Sequence, residues 1–351
     1  MTLNACLTPF AESLRESLFD DADAPTALPA AQRIEFDHIL HLRHAGETRC
    51  RLRAELVGAE GAPLVAVLGG ISADRHLAAN GACAAPGWWE AQVGEGRPVD
   101  TARLRVLSFD WLGADGGLDV PIDTADQADA LLAVLDHLAI PRIEVLVGAS
   151  YGAMVGLQFA ARFPERIGEL VALSGAHRPH PYASAWRAIQ RKIVALGQLQ
   201  CADAQGVALA RQLAMLSYRA PEEFADRFAA EATVENGRVR VAAEDYLDSC
   251  GQRYAQKWQA TAFLRLSESI DLHRVEASAI RIPLSLLAVE GDRLAPPEEI
   301  YALAEGCAAD CRVRVLRSKY GHDAFLKEVD AIGEVLADAL QDLVCREEDR
   351  A

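Results

Sequence analysis

The sequence predicts an α/β protein in which a mostly parallel central sheet has helices on both faces and a helical insertion interrupts the domain. Three observations predict this architecture. Short apolar runs without polar alternation recur along the chain, which is typical of strands that are buried on both faces. Amphipathic helical segments separate these runs, as crossover connections between parallel strands require. The alternation then stops for roughly a hundred residues, a length within the size range of a domain, and resumes near the C-terminus.

The composition is that of an acidic globular protein. Of the 351 residues, 51% are hydrophobic and 25% are charged, which excludes a disordered chain, a collagen-like repeat and a coiled coil. The 35 Lys and Arg residues against 51 Asp and Glu residues give a net charge of −16. This balance argues against nucleic acid or an anionic membrane surface as a partner, because both are polyanions. No stretch approaches the roughly 20 apolar residues of a membrane span, so we expect no membrane insertion.

The eight cysteines are scattered along the chain. No CxxC pair occurs, and Cys307 and Cys311 have no partner cluster that would complete a zinc site. Scattered cysteines in a long chain that shows no signal-peptide pattern are typical of reduced thiols. We therefore expect a cytoplasmic protein without a bound metal.

The chain is predicted to divide into an arm, a core and an insertion. Residues 1–33 contain several acids and two prolines and predict a loosely held N-terminal arm. Residues 34–176 and 275–351 carry the strand and helix signals of the core domain. Residues 177–274 are rich in helical signals and form the predicted helical lid insertion.

Each core element is predicted from its local pattern. Residues 34–44 and 51–57 alternate apolar and polar side chains, as half-buried antiparallel strands do. Thr124 and Gln127 have the spacing of a capping box before an apolar run with a helical period. The remaining predicted strands cover residues 63–68, 104–109, 143–147, 170–173, 283–289 and 313–316, and the remaining core helices cover residues 151–163 and 324–344.

The strongest local signal for chemistry is the segment Gly148-Ala149-Ser150-Tyr151-Gly152, which fits the pattern G-x-S-x-G. A buried strand precedes this segment and an amphipathic helix follows it, which is the setting of a serine nucleophile on a sharp strand-to-helix turn. The helix N-terminus favours the negative charge that develops near Ser150. We expect the backbone N–H of Tyr151 to donate to an oxyanion. The alternative interpretation is a glycine-bracketed serine that only turns the chain.

A serine nucleophile needs a base and an acid that orients the base. His322 lies in a turn between the last predicted strand and the last helix, whereas the other histidines lie on hairpins, a helix, an early loop or the insertion. Asp292 follows the preceding predicted strand, and Glu290 is the alternative acid. The order Ser150, Asp292, His322 is that of α/β-hydrolase folds, in which the acid and the base follow the last strands.

A second oxyanion donor is expected from the loop after an early strand. Gly69 and Gly70 occupy that position, and glycines allow the backbone to approach a ligand closely. We favour the backbone N–H of Ile71 as this donor. An ordinary turn between a strand and a helix is the alternative interpretation.

Several motifs are shared with one known family. Gly321-His322-Asp323-Ala324-Phe325-Leu326 matches the family's terminal GHDAFL motif letter for letter, and Pro86-Gly87-Trp88-Trp89 matches its PGWW stretch. Looser matches cover its oxyanion loop, the segments after PGWW and its lid helices, at residues 69–76, 93–94, 98–101, 213–219, 227–228 and 244–247. From residue 34 to the C-terminal helix, the chain therefore resembles the homoserine O-acyltransferases. These are enzymes of the α/β-hydrolase fold that acylate the hydroxyl of homoserine for methionine synthesis.

The resemblance implies a role for each matching residue. Ser150, Asp292 and His322 would form the catalytic triad. Arg219 and Asp323 would hold the carboxylate and the ammonium group of the amino acid, as their charges allow. The acyl donor would be acyl-coenzyme A, a co-substrate rather than a bound cofactor, in a ping-pong reaction. The resemblance also implies a homodimer whose other partners are small-molecule substrates.

Two departures from the family pattern leave the substrates open. Residues 112–118 replace a glycine-rich segment of the family, and Tyr151 replaces a methionine beside the nucleophile. Acetyl and succinyl donors therefore remain alternatives, as do homoserine, serine and other hydroxyl acceptors, and hydrolysis. A non-catalytic binding protein of the same fold is a further alternative. Contacts for the coenzyme A phosphates, or else a solvated helix face, are expected from Arg178, Arg187, Arg191 and Lys192.

Overall fold

The structure, a computed structural model, describes residues 28–348. Residues 1–27 of the predicted N-terminal arm lie outside the described residues. The first strand begins at Ala31, so residues 31–33, which were assigned to the arm from sequence, belong to the sheet instead. Antiparallel pairing of Ala31 with Val57 carries the strand back beyond the point where the apolar alternation starts.

Eight strands form one central sheet. They are β1 (Ala31–Leu42), β2 (Gly46–Val57), β3 (Leu64–Leu68), β6 (Arg105–Phe109), β7 (Ile143–Ala149), β8 (Ile167–Leu173), β11 (Leu284–Glu290) and β12 (Cys311–Arg317). Their order is β1-β2-β6-β3-β7-β8-β11-β12. The β1–β2 and β2–β6 pairs are antiparallel, and the other neighbours are parallel. The predicted mostly parallel sheet of an α/β-hydrolase fold is therefore confirmed.

Two short strand pairs, ten α-helices and three short 3-10 helices (Pro164–Arg166, Ala277–Ala279 and Gly321–Asp323) complete the secondary structure of the described residues. The short strands are β4 (Val93–Gly94) with β5 (Val99–Asp100), and β9 (Thr233–Glu235) with β10 (Arg238–Arg240). The helices are α1 (Thr124–His137), α2 (Tyr151–Arg162), α3 (Pro181–Leu199), α4 (Asp203–Tyr218), α5 (Pro221–Arg227), α6 (Glu244–Ala255), α7 (Ala260–Leu272), α8 (Pro297–Gly306), α9 (Ala324–Lys327) and α10 (Val329–Glu348).

The sheet separates two apolar cores. Along β3, Leu64, Ala66 and Leu68 belong to one core, whereas Val65 and Val67 belong to the other, which is the two-residue period of a strand. Helices α1, α2 and α8 contribute buried side chains to the first core, and α10 contributes to the second. Both faces of the parallel strands are therefore covered, which explains why their sequences lack polar alternation.

The chain between β8 and β11 contains helices α3 to α7 and the exposed hairpin of β9 and β10. Its helices lie within residues 177–274, where the insertion was predicted. The hairpin was not predicted. Its turn is Asn236-Gly237, and both residues have positive φ values, 49° and 76°. An Asn-Gly pair is a strong signal for such a turn, so the sequence did contain the information.

The capping box predicted for Thr124 and Gln127 is wrong by one residue. Asp123 is the N-cap of α1, and its backbone N–H donates to the carboxylate of Asp126 at 2.8 Å. Asp123 with Asp126 and Thr124 with Gln127 both have the spacing of a capping box in the sequence, and tertiary contacts decide between the two pairs. Thr124 Oγ1 instead lies 2.6 Å from Nδ1 of the buried His273, and Gln127 bonds the backbone of Leu112.

Candidate active site

Ser150 occupies a sharp turn between β7 and α2. Its backbone has φ 54° and ψ −112°, a conformation that a residue with a side chain adopts only when its surroundings enforce it. The flanking glycines are required by space: a Cβ at Gly152 would lie 2.2 Å from the carbonyl oxygen of Leu68. The Ser150 N–H donates to the carbonyl of Leu173 at 2.8 Å, which fixes the turn against β8.

Ser150, His322 and Asp292 form a continuous line of hydrogen bonds. Ser150 Oγ lies 2.7 Å from His322 Nε2, and His322 Nδ1 lies 2.7 Å from Asp292 Oδ2. Asp292 is 3% exposed, and its other carboxylate oxygen accepts the N–H groups of Leu294 and Ala295. The carboxylate can therefore hold His322 Nδ1 in its protonated form, which leaves Nε2 free to accept the Ser150 proton.

Electrostatics favour a proton on His322. Burial alone lowers the pKa of this imidazole, but the charge and the hydrogen bond of Asp292 outweigh burial, so the pKa is raised. Glu290, the alternative acid, is exposed and forms an ion pair with Arg317 at 2.8 Å instead of contacting His322.

The two expected oxyanion donors lie beside Ser150. A Cβ built on Gly70 would lie 4.0 Å from Ser150 Cβ, so the loop that carries Ile71 is adjacent to Ser150. The Gly69 carbonyl accepts the N–H of Gly152, which joins this loop to the start of α2. Within residues 28–348, the N–H groups of Ile71 and Tyr151 donate to no acceptor. The Tyr151 side chain is buried, and its hydroxyl lies 2.6 Å from Ser269 Oγ.

The tryptophans of the PGWW segment hold the loops around Ser150. Trp88 Nε1 donates to the carbonyl of Asp74 in the oxyanion loop at 3.0 Å. Trp89 Nε1 donates to the carbonyl of Phe325, three residues after His322, at 3.1 Å. The two most specific motifs of the sequence are therefore in contact, and both hold backbone near Ser150.

Two cavities meet at Ser150 and His322. The outer cavity, of about 190 Å³, is also lined by Ser72, Trp88, Arg211 and Asp323. The inner cavity, of about 40 Å³, is also lined by Ser174, Trp186, Arg187 and Gln190. Helices α3 and α4 of the insertion contribute walls to this region, so a reacting group at Ser150 is enclosed by the core on one side and by the insertion on the other.

Arg219 and Asp323 are brought together, but as an ion pair with each other. Arg219 Nε lies 2.8 Å from Asp323 Oδ2, and its Nη1 donates to both carboxylate oxygens of Glu223. Asp323 lines the outer cavity, whereas Arg219 lines neither cavity. Burial raises the pKa of Asp323, against the opposing effect of Arg219. The positive charge of Arg219 is thus already shared by two carboxylates.

Arg211 is a cavity residue that sequence reasoning missed. Its guanidinium lies 5.1 Å from the ring centre of Tyr218 and 4.7 Å from that of Tyr254. In the part of the chain that the structure describes, it forms no ion pair or hydrogen bond. A signal existed in the sequence: no acid stands three or four positions from Arg211 along α4, so no carboxylate on that helix can neutralise it.

The four cations predicted to contact coenzyme A do not share one environment. Arg178 pairs with Glu299 at the surface, and Lys192 is exposed. Arg187 is only 8% exposed and pairs with Asp271, as does Arg191. The solvated-face interpretation is therefore wrong for Arg187, which lines the inner cavity.

No group of three or more His, Cys, Asp or Glu side chains within residues 28–348 is arranged to hold a metal ion. No helix of that range combines the length and the apolar composition needed to cross a membrane.

Comparison with known proteins relates the whole arrangement to one group of enzymes. The family model of the alpha/beta hydrolase fold matches residues 69–329. The chain is 59% identical over 321 residues to the homoserine O-succinyltransferase of Xanthomonas campestris pv. campestris, which covers 92% of this chain and 86% of the relative. It is 35% identical over 284 residues to the homoserine O-acetyltransferase of Thermus thermophilus, with 71% of each covered. The crystal structure of homoserine O-acetyltransferase from Bacillus anthracis matches this structure with a TM-score of 0.80 at 14% identity. The match covers 88% of this chain and 97% of the Bacillus chain, and it shows that the two share a fold.

Proposed function

Because the chain belongs to the homoserine O-acyltransferases of the α/β-hydrolase fold, we propose that it transfers a succinyl group from succinyl-coenzyme A to the hydroxyl of L-homoserine, as a step of methionine biosynthesis. The observation that carries the proposal is the hydrogen-bonded line from Ser150 through His322 to Asp292. The relative that is 59% identical is named for a succinyl donor, which supports succinyl over acetyl.

The first half-reaction forms a covalent acyl-enzyme. His322 Nε2 takes the proton of Ser150 Oγ, and the oxygen attacks the thioester carbonyl carbon. The N–H groups of Ile71 and Tyr151 stabilise the negative oxygen of the tetrahedral intermediate. When the intermediate collapses, the carbon–sulfur bond breaks and the proton on His322 passes to the coenzyme A thiolate. Asp292 stabilises the imidazolium while it carries the proton.

The second half-reaction passes the acyl group to the amino acid. His322, neutral again, takes the proton of the homoserine hydroxyl, and the oxygen attacks the ester carbonyl of acyl-Ser150. The new ester forms as the bond to Ser150 Oγ breaks, and the proton on His322 returns to Ser150. Water must be kept from the same carbonyl, or the acyl-enzyme would hydrolyse; helices α3 and α4 are suited to this because they cover the nucleophile.

The charged groups of homoserine have complementary side chains in the outer cavity. Asp323, next to His322 in the chain, suits the ammonium group, and Arg211 suits the carboxylate because it has no ion pair among the described residues. Arg219, assigned to the carboxylate from sequence, is less suited because Glu223 and Asp323 already neutralise it. We therefore propose that Arg219 positions Asp323 instead of touching the substrate.

Mass spectrometry of the intact protein tests the covalent step. The protein is incubated with succinyl-coenzyme A or acetyl-coenzyme A without an acceptor, and the modified peptide is then mapped. We expect a succinyl adduct on Ser150 that Ser150→Ala abolishes. Ser72→Ala is the matched control, because Ser72 lines the same outer cavity but does not contact His322, and this variant should keep the adduct. No adduct from either donor would favour the non-catalytic alternative.

Decay of the adduct tests the acceptor. We expect it to disappear faster as the homoserine concentration rises, with O-succinylhomoserine as the product. Equal decay with and without homoserine would identify a hydrolase. Faster decay with serine than with homoserine would identify a serine O-acyltransferase.

A further inference from the structure

A net positive charge is buried beside the nucleophile. Asp271 Oδ1 accepts from Arg187 Nε at 2.8 Å, and Asp271 Oδ2 accepts from Arg191 Nη1 at 2.7 Å. Neither arginine has a second carboxylate within ion-pair distance among the described residues. Two guanidinium groups therefore share one carboxylate, which leaves one positive charge uncompensated. A buried charge of this kind is costly unless an anion accompanies it.

Two hydrogen-bond donors of this group are unused. Nε and Nη2 of Arg187 are held by Asp271 and by Ser184 Oγ, whereas Nη1 has no partner within residues 28–348. The carboxamide of Gln190 is likewise unpaired there, although the residue is only 5% exposed. Arg187 and Gln190 stand three positions apart on α3, so their side chains lie on the same face of the helix.

The unused donors belong to the inner cavity and not to the outer one, because neither Arg187 nor Gln190 lines the outer cavity. Arg187 and Gln190 line the inner cavity together with Ser150 and His322. The charge of Arg187 also acts on the pKa of His322, which it lowers, so the two groups are electrostatically close. Both cavities are lined by Ser150 and His322. An acyl group on Ser150 can therefore extend into the inner cavity while the outer cavity stays open to the thiol that leaves and to the hydroxyl that enters.

The inner cavity is larger than the methyl group of an acetyl ester requires. A space of roughly 10–15 Å³ on this measure holds one water molecule, and a methyl group is of comparable size. The inner cavity measures about 40 Å³. An adjoining cavity of about 30 Å³ shares Arg187 and Gln190 as walls. The space therefore suits an acyl chain several atoms long whose far end is polar.

From this arrangement we infer that Arg187 Nη1 and the Gln190 carboxamide bind the distal carboxylate of a succinyl group carried on Ser150. The inference rests on the proposed function and names the residues that select the donor. A carboxylate suits this pair because an arginine binds it through charge-assisted hydrogen bonds while the amide supplies a further N–H. The bound carboxylate would also neutralise the excess charge of the two arginines.

The test compares the two donors in each variant. The quantity measured is the ratio of kcat/KM for succinyl-coenzyme A to kcat/KM for acetyl-coenzyme A, at saturating homoserine. Arg187→Met should lower this ratio by at least about 30-fold, the usual effect of removing one partner of a buried charge pair. This variant leaves Asp271 paired one-to-one with Arg191, so the local charge is balanced and folding should be preserved. Lys192→Met is the matched control, because it removes a cation from the exposed side of α3 and should leave the ratio unchanged.

A second variant separates a binding role from a structural one. Gln190→Glu keeps the size of the side chain but places a carboxylate where the inference puts the succinyl carboxylate. The ratio should fall here as well, whereas a residue that only supports the fold would lower both donors equally. A thermal unfolding curve for each variant checks the fold.

The possible failures are distinguishable. Suppose that acyl-Ser150 forms and its acyl group passes to homoserine, but the donor ratio is unchanged in Arg187→Met and Gln190→Glu. This result would overturn the inference and leave the proposed acyl transfer intact. A raised KM for homoserine with both donors would also overturn it, because Arg187 would then hold the acceptor. Absence of any acyl-Ser150 in the wild-type protein would instead refute the proposed function.

Discussion

Ser150 Oγ and His322 Nε2 lie 2.7 Å apart, although 172 residues separate them in the chain. They meet because β7, β11 and β12 are parallel members of one sheet. The loops that follow parallel strands emerge at the same edge of the sheet, which brings Ser150, Asp292 and His322 together. The insertion leaves the sheet after β8, one strand away from β7, and can therefore cover the same edge.

Asp292→Asn should lower kcat by roughly 10⁴, the loss measured for the same change in another Ser-His-Asp enzyme. The amide preserves the geometry but cannot stabilise a protonated His322. Steady-state kinetics with both substrates measures the effect, and Glu290→Gln is the control because Glu290 pairs with Arg317 at the surface. If Glu290→Gln is inactive and Asp292→Asn retains activity, Glu290 is the acid.

The acylation rate should fall in acid at a pH above the ordinary pKa of a histidine. Only neutral His322 can take the Ser150 proton, and Asp292 raises the pKa of the imidazole against the lowering effect of burial. Protonation therefore begins to inactivate the enzyme at a higher pH than for an unperturbed histidine. The profile of kcat/KM for the donor against pH gives the midpoint. In Asp292→Asn the residual activity should show a lower midpoint, since the raising effect of Asp292 on the pKa of His322 is lost while the lowering effect of burial remains. An unchanged midpoint would mean that another group titrates.

Arg211→Gln should weaken the acceptor half-reaction by about 2–5 kcal/mol, the usual cost of truncating one partner of a buried charge pair. Release of coenzyme A in the absence of acceptor should be nearly unchanged. The thiol burst and the decay of acyl-Ser150 against homoserine concentration measure the two steps separately.

Arg219→Gln is compared with Arg211→Gln, because the Arg219 variant should lower the free energy of unfolding of the protein. It leaves Asp323 buried without its cation, which costs about 3–5 kcal/mol in comparable cases. Chemical denaturation gives the free energy of unfolding. A stable Arg219→Gln protein whose acceptor step alone fails, beside an unaffected Arg211→Gln protein, would restore the assignment made from sequence.

His273 should make the protein sensitive to acid. Burial lowers its pKa to about 3 in the folded state, and the ring bonds Thr124 and the carbonyl of Ala176 while neutral. In the unfolded chain this histidine takes up a proton at about pH 6.5. Below that pH the unfolded state binds more protons than the folded state, so the free energy of unfolding falls as the pH falls. His273→Gln can keep both hydrogen bonds without titrating. Denaturation between about pH 6 and pH 4 should therefore show a shallower loss of stability for this variant, and equal slopes would refute the prediction.

Much of the fold and the reactive line of the site could be predicted from sequence, because their determinants are local. Buried strands are recognised by unbroken apolar runs, and Ser150 by its strand-to-helix turn between two glycines. Chain order then selects Asp292 and His322, since parallel strands deliver their loops to one edge. Where two local patterns overlapped, as at the start of α1, the register of the cap was decided by contacts with distant residues.

Only the tertiary structure decided which cations of the site are free. Arg219 is not available to a substrate because it pairs with Asp323, which lies 104 positions away in the sequence. Arg187 pairs with Asp271, which lies 84 positions away. Arg211 forms no ion pair among the described residues, and two aromatic rings pack against its guanidinium group. The sequence by itself determined that Ser150, Asp292 and His322 would meet, because their meeting depends on one turn and on strand order. The ion pairs of Arg219 with Asp323 and of Arg187 with Asp271 depend instead on which elements pack together, and the residues adjacent to each arginine in the chain do not specify that packing.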